Sequence, residues 1–435
     1  MAVVSRLDLR HGFELGRPLV ASLDWTKIVP AVAAFAAAST IGAAGGGYLP
    51  RAWWWAMLAA AALIGAALVG RRRVVLSRLE WATLATLAGF AAWLAASNYW
   101  SDIPASSPPE AERALLYVAA LAAMLIGLDR DSLRPLLGGA VAGVTAVCAY
   151  GLGDYVISRP PLNPFEGKLL FEPVGYANAF GIYAVIAIVL VGGLAVYTRH
   201  WRGRAAALAA LAVLVPTLYL TSSRGALIVL PVGALVMLYF GGRIGLRAAL
   251  LLVLAAGIAA SIALASSGLS LSALGHNRQH YWRVAWNDFQ ANPWLGSGAG
   301  SFGNYWLHHR PTTEFVRDAH SLYVTTLAEL GPVGLALVIL ALALPLAALR
   351  GRREPLVGTA AGGYVAFVLH TGIDWDWQMP AVTLVGLLCG ASLLVERRDE
   401  AAAGISARTR AVLIVLAALL AFFAASELNW LPAPW

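Results

Sequence analysis

Residues 177–197 read ANAFGIYAVIAIVLVGGLAVY, twenty-one positions without a charge. Twenty residues of helix rise about 30 Å, the thickness of a bilayer's hydrocarbon core. The apolar residues are continuous rather than alternating, the pattern of a spanning helix and not of a barrel strand. Arg199, Arg202 and Arg204 follow directly. Similar runs lie at 28–47, 52–69, 80–98, 113–128, 135–156, 205–221, 225–241, 246–265, 332–349, 356–373, 379–395 and 411–427. The fold class expected is therefore all-α, a polytopic transmembrane bundle of twelve or thirteen spans with a small extracytoplasmic loop domain.

The composition agrees. Of 435 residues, 60% are hydrophobic and 12% are charged, about half the charged share of a soluble domain. That excludes a soluble multidomain enzyme. Cys148 and Cys389 both lie inside apolar runs, which excludes a disulfide framework or a cysteine metal site. The net charge of +8 invites a nucleic-acid reading, and the positions of the charges refute it. With the N-terminus inside, 22 of the 31 Lys and Arg fall in cytoplasmic segments, among them Arg71–Arg73, Arg350, Arg352, Arg353, Arg397 and Arg398. The basic charge orients the helices.

Four segments follow. Residues 1–27 form a cytoplasmic tail, and 28–265 hold nine spans. Residues 266–331 form the extracytoplasmic domain with an interfacial helix, and 332–435 hold the remaining spans and a short outer C-terminus. Gly331-Pro332 divides the long stretch 320–349 into the interfacial helix and a span.

Nine basic residues lie outside against the topological rule: Arg51, Arg113, Arg159, Lys168, Arg224, Arg278, Arg283, Arg310 and Arg317. Five constellations accompany them. Thr221-Ser222-Ser223-Arg224-Gly225 opens a span with Arg at the helix N-terminus, where it opposes the dipole. Arg, hydroxyls and free N–H groups together suit a phosphate; snorkelling is the plainer alternative. Tyr281-Trp282-Arg283 leads to the glycine run Gly296-Ser297-Gly298-Ala299-Gly300, a cup for an anion or a plain loop. Asp318-Ala319-His320-Ser321 heads the interfacial helix, where His320 is either a proton acceptor or a capping residue. Tyr176 and Asn178 suit a sugar or a diphosphate, or else an interfacial Tyr and an Asn cap. Asp374-Trp375-Asp376-Trp377, after His370, offers sugar stacking, and the Trp between the acids argues against a metal. All five fall on the outer face, a combination suited to a diphosphate leaving group and a sugar acceptor.

At these residues the chain resembles the O-antigen ligase and polymerase superfamily of bacterial membrane glycosyltransferases. The matching pieces are Trp100-Ser101, Gly175-Tyr176-Ala177-Asn178-Ala179, Ser222-Ser223-Arg224-Gly225, Arg283…Asn292-Pro293-Trp294-Leu295-Gly296…Gly298…Gly300…Phe302, Ala319-His320-Ser321…Glu329-Leu330-Gly331 and His370…Asp374-Trp375-Asp376-Trp377…Pro380. Ser321 departs from the Asn that often follows the His. The resemblance implies a glycan donor on undecaprenyl diphosphate and a saccharide acceptor, either a lipid-A core or another envelope glycan. It places the chain in the bacterial inner membrane, in contact with the bilayer and with no nucleic acid. Arg224 and Arg283, with Ser223, would hold the diphosphate, and His320 would act as base. Tyr176, Asn178, Trp282, Asp374 and Trp375 would line the substrate. Transfer would be inverting and need neither metal nor cofactor. A repeat-unit polymerase is the neighbouring alternative. A transporter or flippase of lipid-linked sugars is the alternative from another class, and it would call for charges deep in the spans.

Overall fold

A computed structural model describes residues 24–158, 162–163, 165–249, 251–252, 278–399 and 401–430. The tail 1–23, Arg159, most of the span expected at 246–265 and the stretch 266–277 lie outside the described residues. The chain is a helical bundle, 78% helix. Its helices are α1 (Trp25–Ala43), α2 (Pro50–Gly70), α3 (Arg78–Ala96), α4 (Ser107–Gly127), α5 (Arg130–Ser158), α6 (Ala177–Tyr197), α7 (Trp201–Thr221), α8 (Arg224–Phe240), α9 (Arg278–Ala291), α10 (Phe302–His309), α11 (Leu322–Ala347), α12 (Pro355–His370), α13 (Pro380–Arg397) and α14 (Ala407–Trp430). Among the described residues, nine helices are long and apolar enough to cross a membrane, and α8 and α12 are shorter apolar helices. Together with α4, they match twelve of the thirteen expected spans. The chain is thus a multi-pass membrane protein. Helices suit this role because lipid offers backbone N–H and C=O groups no partner.

The centre of the bundle is α6 and α13, with 72% and 89% of their apolar windows buried, whereas α14 at 11% stands at the rim. Small residues let the helices approach closely. A Cβ on Gly139 of α5 would lie 2.0 Å from the Ala31 carbonyl oxygen of α1, and one on Gly362 of α12 would lie 2.5 Å from that of Gly233 of α8. Helix α11 breaks at Gly331 (φ 65°, ψ −170°), the division expected from Gly331-Pro332.

One end of the bundle is rich in arginine. There the guanidinium groups cover the carbonyls that the last turns of helices leave unpaired. Arg410 donates to the Leu68 and Arg71 carbonyls beyond α2, and Arg398 to Leu125 and Leu128 at the end of α4. Arg243 serves Val196 of α6, Arg353 serves Tyr239 of α8, and Arg397 serves Ala348 and Arg350 after α11. Arg130 serves the Arg398 carbonyl after α13. The arginines expected to orient the chain also finish its helices, and cations suit C-termini.

At this end Arg398 is 4% exposed and Glu80 is wholly buried. The Glu80 carboxylate accepts from Arg398 at 3.0 Å and 2.5 Å and closes a capping box with Ser77. Removing one partner of such a pair leaves a buried charge. Arg398→Ala is expected to destabilise the protein by about 3 kcal/mol, read as a lowered thermal midpoint in detergent, and Arg410→Ala by less.

Candidate functional site

At the other end, residues 278–321 build a hydrophobic cluster of their own from Tyr281, Val284, Ala285, Phe302, Trp306, Val316 and Ala319, closed by Ala328 of α11. The segment is anchored through its glycine run. Glu329 of α11, 6% exposed, accepts from the Gly300 and Phe302 N–H groups, each at 2.9 Å. Gly298 N–H donates to the Glu329 carbonyl at 2.8 Å, and Ala299 N–H to Ser97 Oγ at 3.1 Å. The indoles of Trp93 and Trp100 donate to the Leu330 and Leu295 carbonyls. Gly296, Ser297 and Ser301 N–H groups bond to Asn292, Ala328 and Gly298 carbonyls. Every backbone N–H from 296 to 302 is thus bonded within the protein. The run does not cup an external anion; its anion is Glu329. The positions demand glycine, since a Cβ at Gly296 (φ 72°) would lie 2.2 Å from the Glu329 carbonyl carbon.

The Tyr-Asn and Asp-Trp-Asp-Trp constellations become one cluster. Asp374, 1% exposed, accepts from Tyr176 Oη (2.9 Å), Asn178 Nδ2 (2.7 Å), Arg278 Nη2 (2.9 Å) and the Trp375 N–H (2.9 Å). Trp375 stacks on Tyr176 at 4.5 Å and meets Tyr48 edge-on at 5.6 Å, and Arg317 donates to Tyr48 Oη at 3.0 Å. Trp377 is buried against Phe90, Tyr117 and the Arg113 guanidinium. One face of Trp375 is therefore taken by Tyr176, and Trp377 is enclosed and offers no open face to a sugar. The two acids do not converge either, for Asp376 turns to His370.

His320 sits beside this cluster. Its φ of 53° is left-handed, held by its own N–H donating to Asp318 Oδ1 at 2.8 Å. Ser321 then caps α11 through the Val324 N–H. The ring lies 5.0 Å from that of Tyr281, with Nδ1 3.5 Å from Asp318 Oδ1. Nδ1 faces a carboxylate, so Nε2 is the nitrogen turned away from it. Burial pushes the Asp318 carboxyl up to about 6, with His320 opposing the shift.

In the α7–α8 turn, Ser222 is left-handed (φ 51°) and buried Ser223 caps α8, its Oγ accepting from the Ala226 N–H at 3.3 Å. Arg224 follows, exposed at the helix N-terminus. The expected residues thus meet unevenly. Tyr176, Asn178, Asp374 and Trp375 are one unit, and His320 joins it through α9, whose Tyr281 lies one turn from Arg278. Trp282 and Arg283 lie on the exposed face of α9, away from the buried Tyr281. Arg278 is the residue that motif reading passed over. Its only signal was membership of the nine arginines outside the topological rule. Tyr48 offered none.

Asp318 makes a testable mark. Its folded value stands above the usual 3.8, so the folded state prefers the neutral carboxyl. The associated stability is full below the unfolded value and is lost as pH rises through about 6. In detergent, the thermal midpoint of Asp318→Asn is expected to fall less between pH 4 and 7 than that of the unaltered protein.

No curated protein matches the chain. Residues 209–339 match a family model described as O-antigen ligase, over a segment that holds the Arg224 turn, α9, the glycine run, His320 and Glu329. Set in a multi-pass bundle with these groups at one end, the match shows that this segment is similar to O-antigen ligase and supports a membrane enzyme of glycosyltransferase type.

Proposed function

We propose that the protein transfers a glycan from undecaprenyl diphosphate to an acceptor hydroxyl at the extracytoplasmic face of the bacterial inner membrane, with inversion and without a metal. The observation that carries this reading is His320, fixed by Asp318 and resting on the helix whose first residue, Arg278, is seated on Asp374. The arginine-rich end faces the cytoplasm, which puts this cluster outside.

His320 Nε2 takes the proton of the acceptor hydroxyl. The oxygen attacks the anomeric carbon of the donor as the bond from that carbon to the diphosphate oxygen breaks. One displacement from the opposite face inverts the centre. Asp318 steadies the imidazolium, and the diphosphate leaves with its charge met by arginine, a planar donor suited to phosphate. Arg224 is one such group. Arg278 is the second, because Asp374, itself held by Tyr176 and Asn178, keeps it in place, whereas Arg283 on the exposed side of α9 takes a lesser share at the rim with Trp282. Ser223 contributes through its cap, which sets the direction of the first turn of α8.

The test is transfer from a lipid-diphosphate glycan by purified protein. His320→Ala, Arg224→Ala and Arg278→Ala are each expected to lose on the order of 10²–10³ in rate, and Arg283→Ala less than about tenfold. Full transfer by both His320→Ala and Arg224→Ala overturns the reading. In a deletion strain, a finished polymer accumulating on the lipid carrier marks a ligase, and a single repeat unit marks a polymerase.

A further inference from the structure

His370, the last residue of α12, and Asp376, in the turn that follows, form a wholly buried pair with Nδ1 3.1 Å from Oδ2. Neither belongs to the chemistry described above. Nε2 of His370 and Oδ1 of Asp376 have no hydrogen-bond partner among the described residues. Nε2 faces the first turn of α8: a Cβ on Gly225 would lie 2.9 Å from it and 3.1 Å from Ile373 Cδ1. On the other flank, a Cβ on Gly181 of α6 would lie 2.6 Å from Ser223 Cβ. The turn that presents Arg224 is gripped from both sides. The same linker also holds the start of α11, because Leu322 N–H donates to the Thr371 carbonyl at 2.8 Å.

We propose that the His370–Asp376 pair is a positioning dyad for Arg224, in which Asp376 fixes the imidazole and the first turn of α8 seats on His370 Nε2. The inference rests on the donor-binding role given to Arg224. The charged and titratable groups around His370 are Asp374 and Asp376 of the linker, Arg278 of α9, and Arg224 beside Gly225. Arg113 and Tyr117 of α4 stand beyond, against Trp377. Within this set the dyad is the element in contact with Gly225. The role explains why Gly225 has no side chain, since any Cβ there would push on the ring.

The test reads KM for the lipid-diphosphate donor and kcat separately, with thermal unfolding in detergent as a check on folding. Gly225→Ala and Asp376→Asn are each expected to raise the donor KM by about tenfold or more with kcat within about threefold. His370→Asn is shorter, keeps an N–H toward Asp376 and removes the ring from under the turn. It is expected to raise the donor KM by at least about threefold and, combined with Gly225→Ala, whose Cβ enters the space the ring leaves, to recover most of the KM. If Arg224→Ala raises the donor KM while Gly225→Ala and Asp376→Asn stay within about threefold, or if the double variant recovers nothing, the dyad has no positioning role. If Arg224→Ala itself leaves KM unchanged, it is the donor-binding reading that fails, and the dyad proposal falls with it.

Discussion

The buried carboxylate of Glu329 is bound by two N–H groups of a glycine loop that Ser97 and Trp100, just beyond α3, hold from behind. A loop of left-handed glycines turns its N–H groups to one side, and such a concavity wants an anion. Here the anion is a side chain of the protein. The contact fixes the segment carrying α9 and His320 to the bundle at the break in α11. The two arms of the site, the linker after α12 and the segment from α9 to α11, also meet directly, through Arg278 on Asp374 and the Leu322 N–H on the Thr371 carbonyl.

Charge is distributed along the bundle with a division of labour. At one end arginines close the carbonyl ends of the helices, each donating to a neighbouring segment, and the buried Arg398–Glu80 pair joins α13 to α3. At the other end arginines are few and individually held. Arg113 is enclosed by Trp53 and Trp377 and paired with Glu110, Arg278 sits on Asp374, and Arg317 reaches Tyr48. A buried carboxylate beside an arginine keeps its guanidinium in one direction. That is what a leaving group needs from its binding site, since charge compensation is most effective when the groups supplying it need not reorganise.

The class of fold was legible because lipid allows so little: a charge-free run of about twenty residues has one way to satisfy its backbone. The break at Gly331 was equally plain, as Gly-Pro after an apolar run leaves no regular helix. His320 and the Arg224 turn stood out as motifs because their chemistry is local, an Asp two residues before the His and serines before the Arg. The glycine run could be a cup for an anion or a plain loop, because a nest for an internal carboxylate and a nest for an external phosphate have the same sequence. Sugar stacking on Trp375 or Trp377 was left open, because the run of residues does not say which ring faces are covered.

By itself, then, the sequence determined where most helices lie along the chain and that they suit a membrane. This follows from hydropathy and from the spacing of the polar breaks. Only the tertiary structure decided that Arg278 and not Arg283 faces the cluster. It also decided that Asp374 gathers Tyr176 and Asn178 from nearly two hundred residues away, and that His370 lies under Gly225. Those arrangements depend on which faces of packed helices meet. Packing is set by the close approach of residues such as Gly139, Gly225 and Gly362, a property of pairs of helices that neither strand of sequence contains alone.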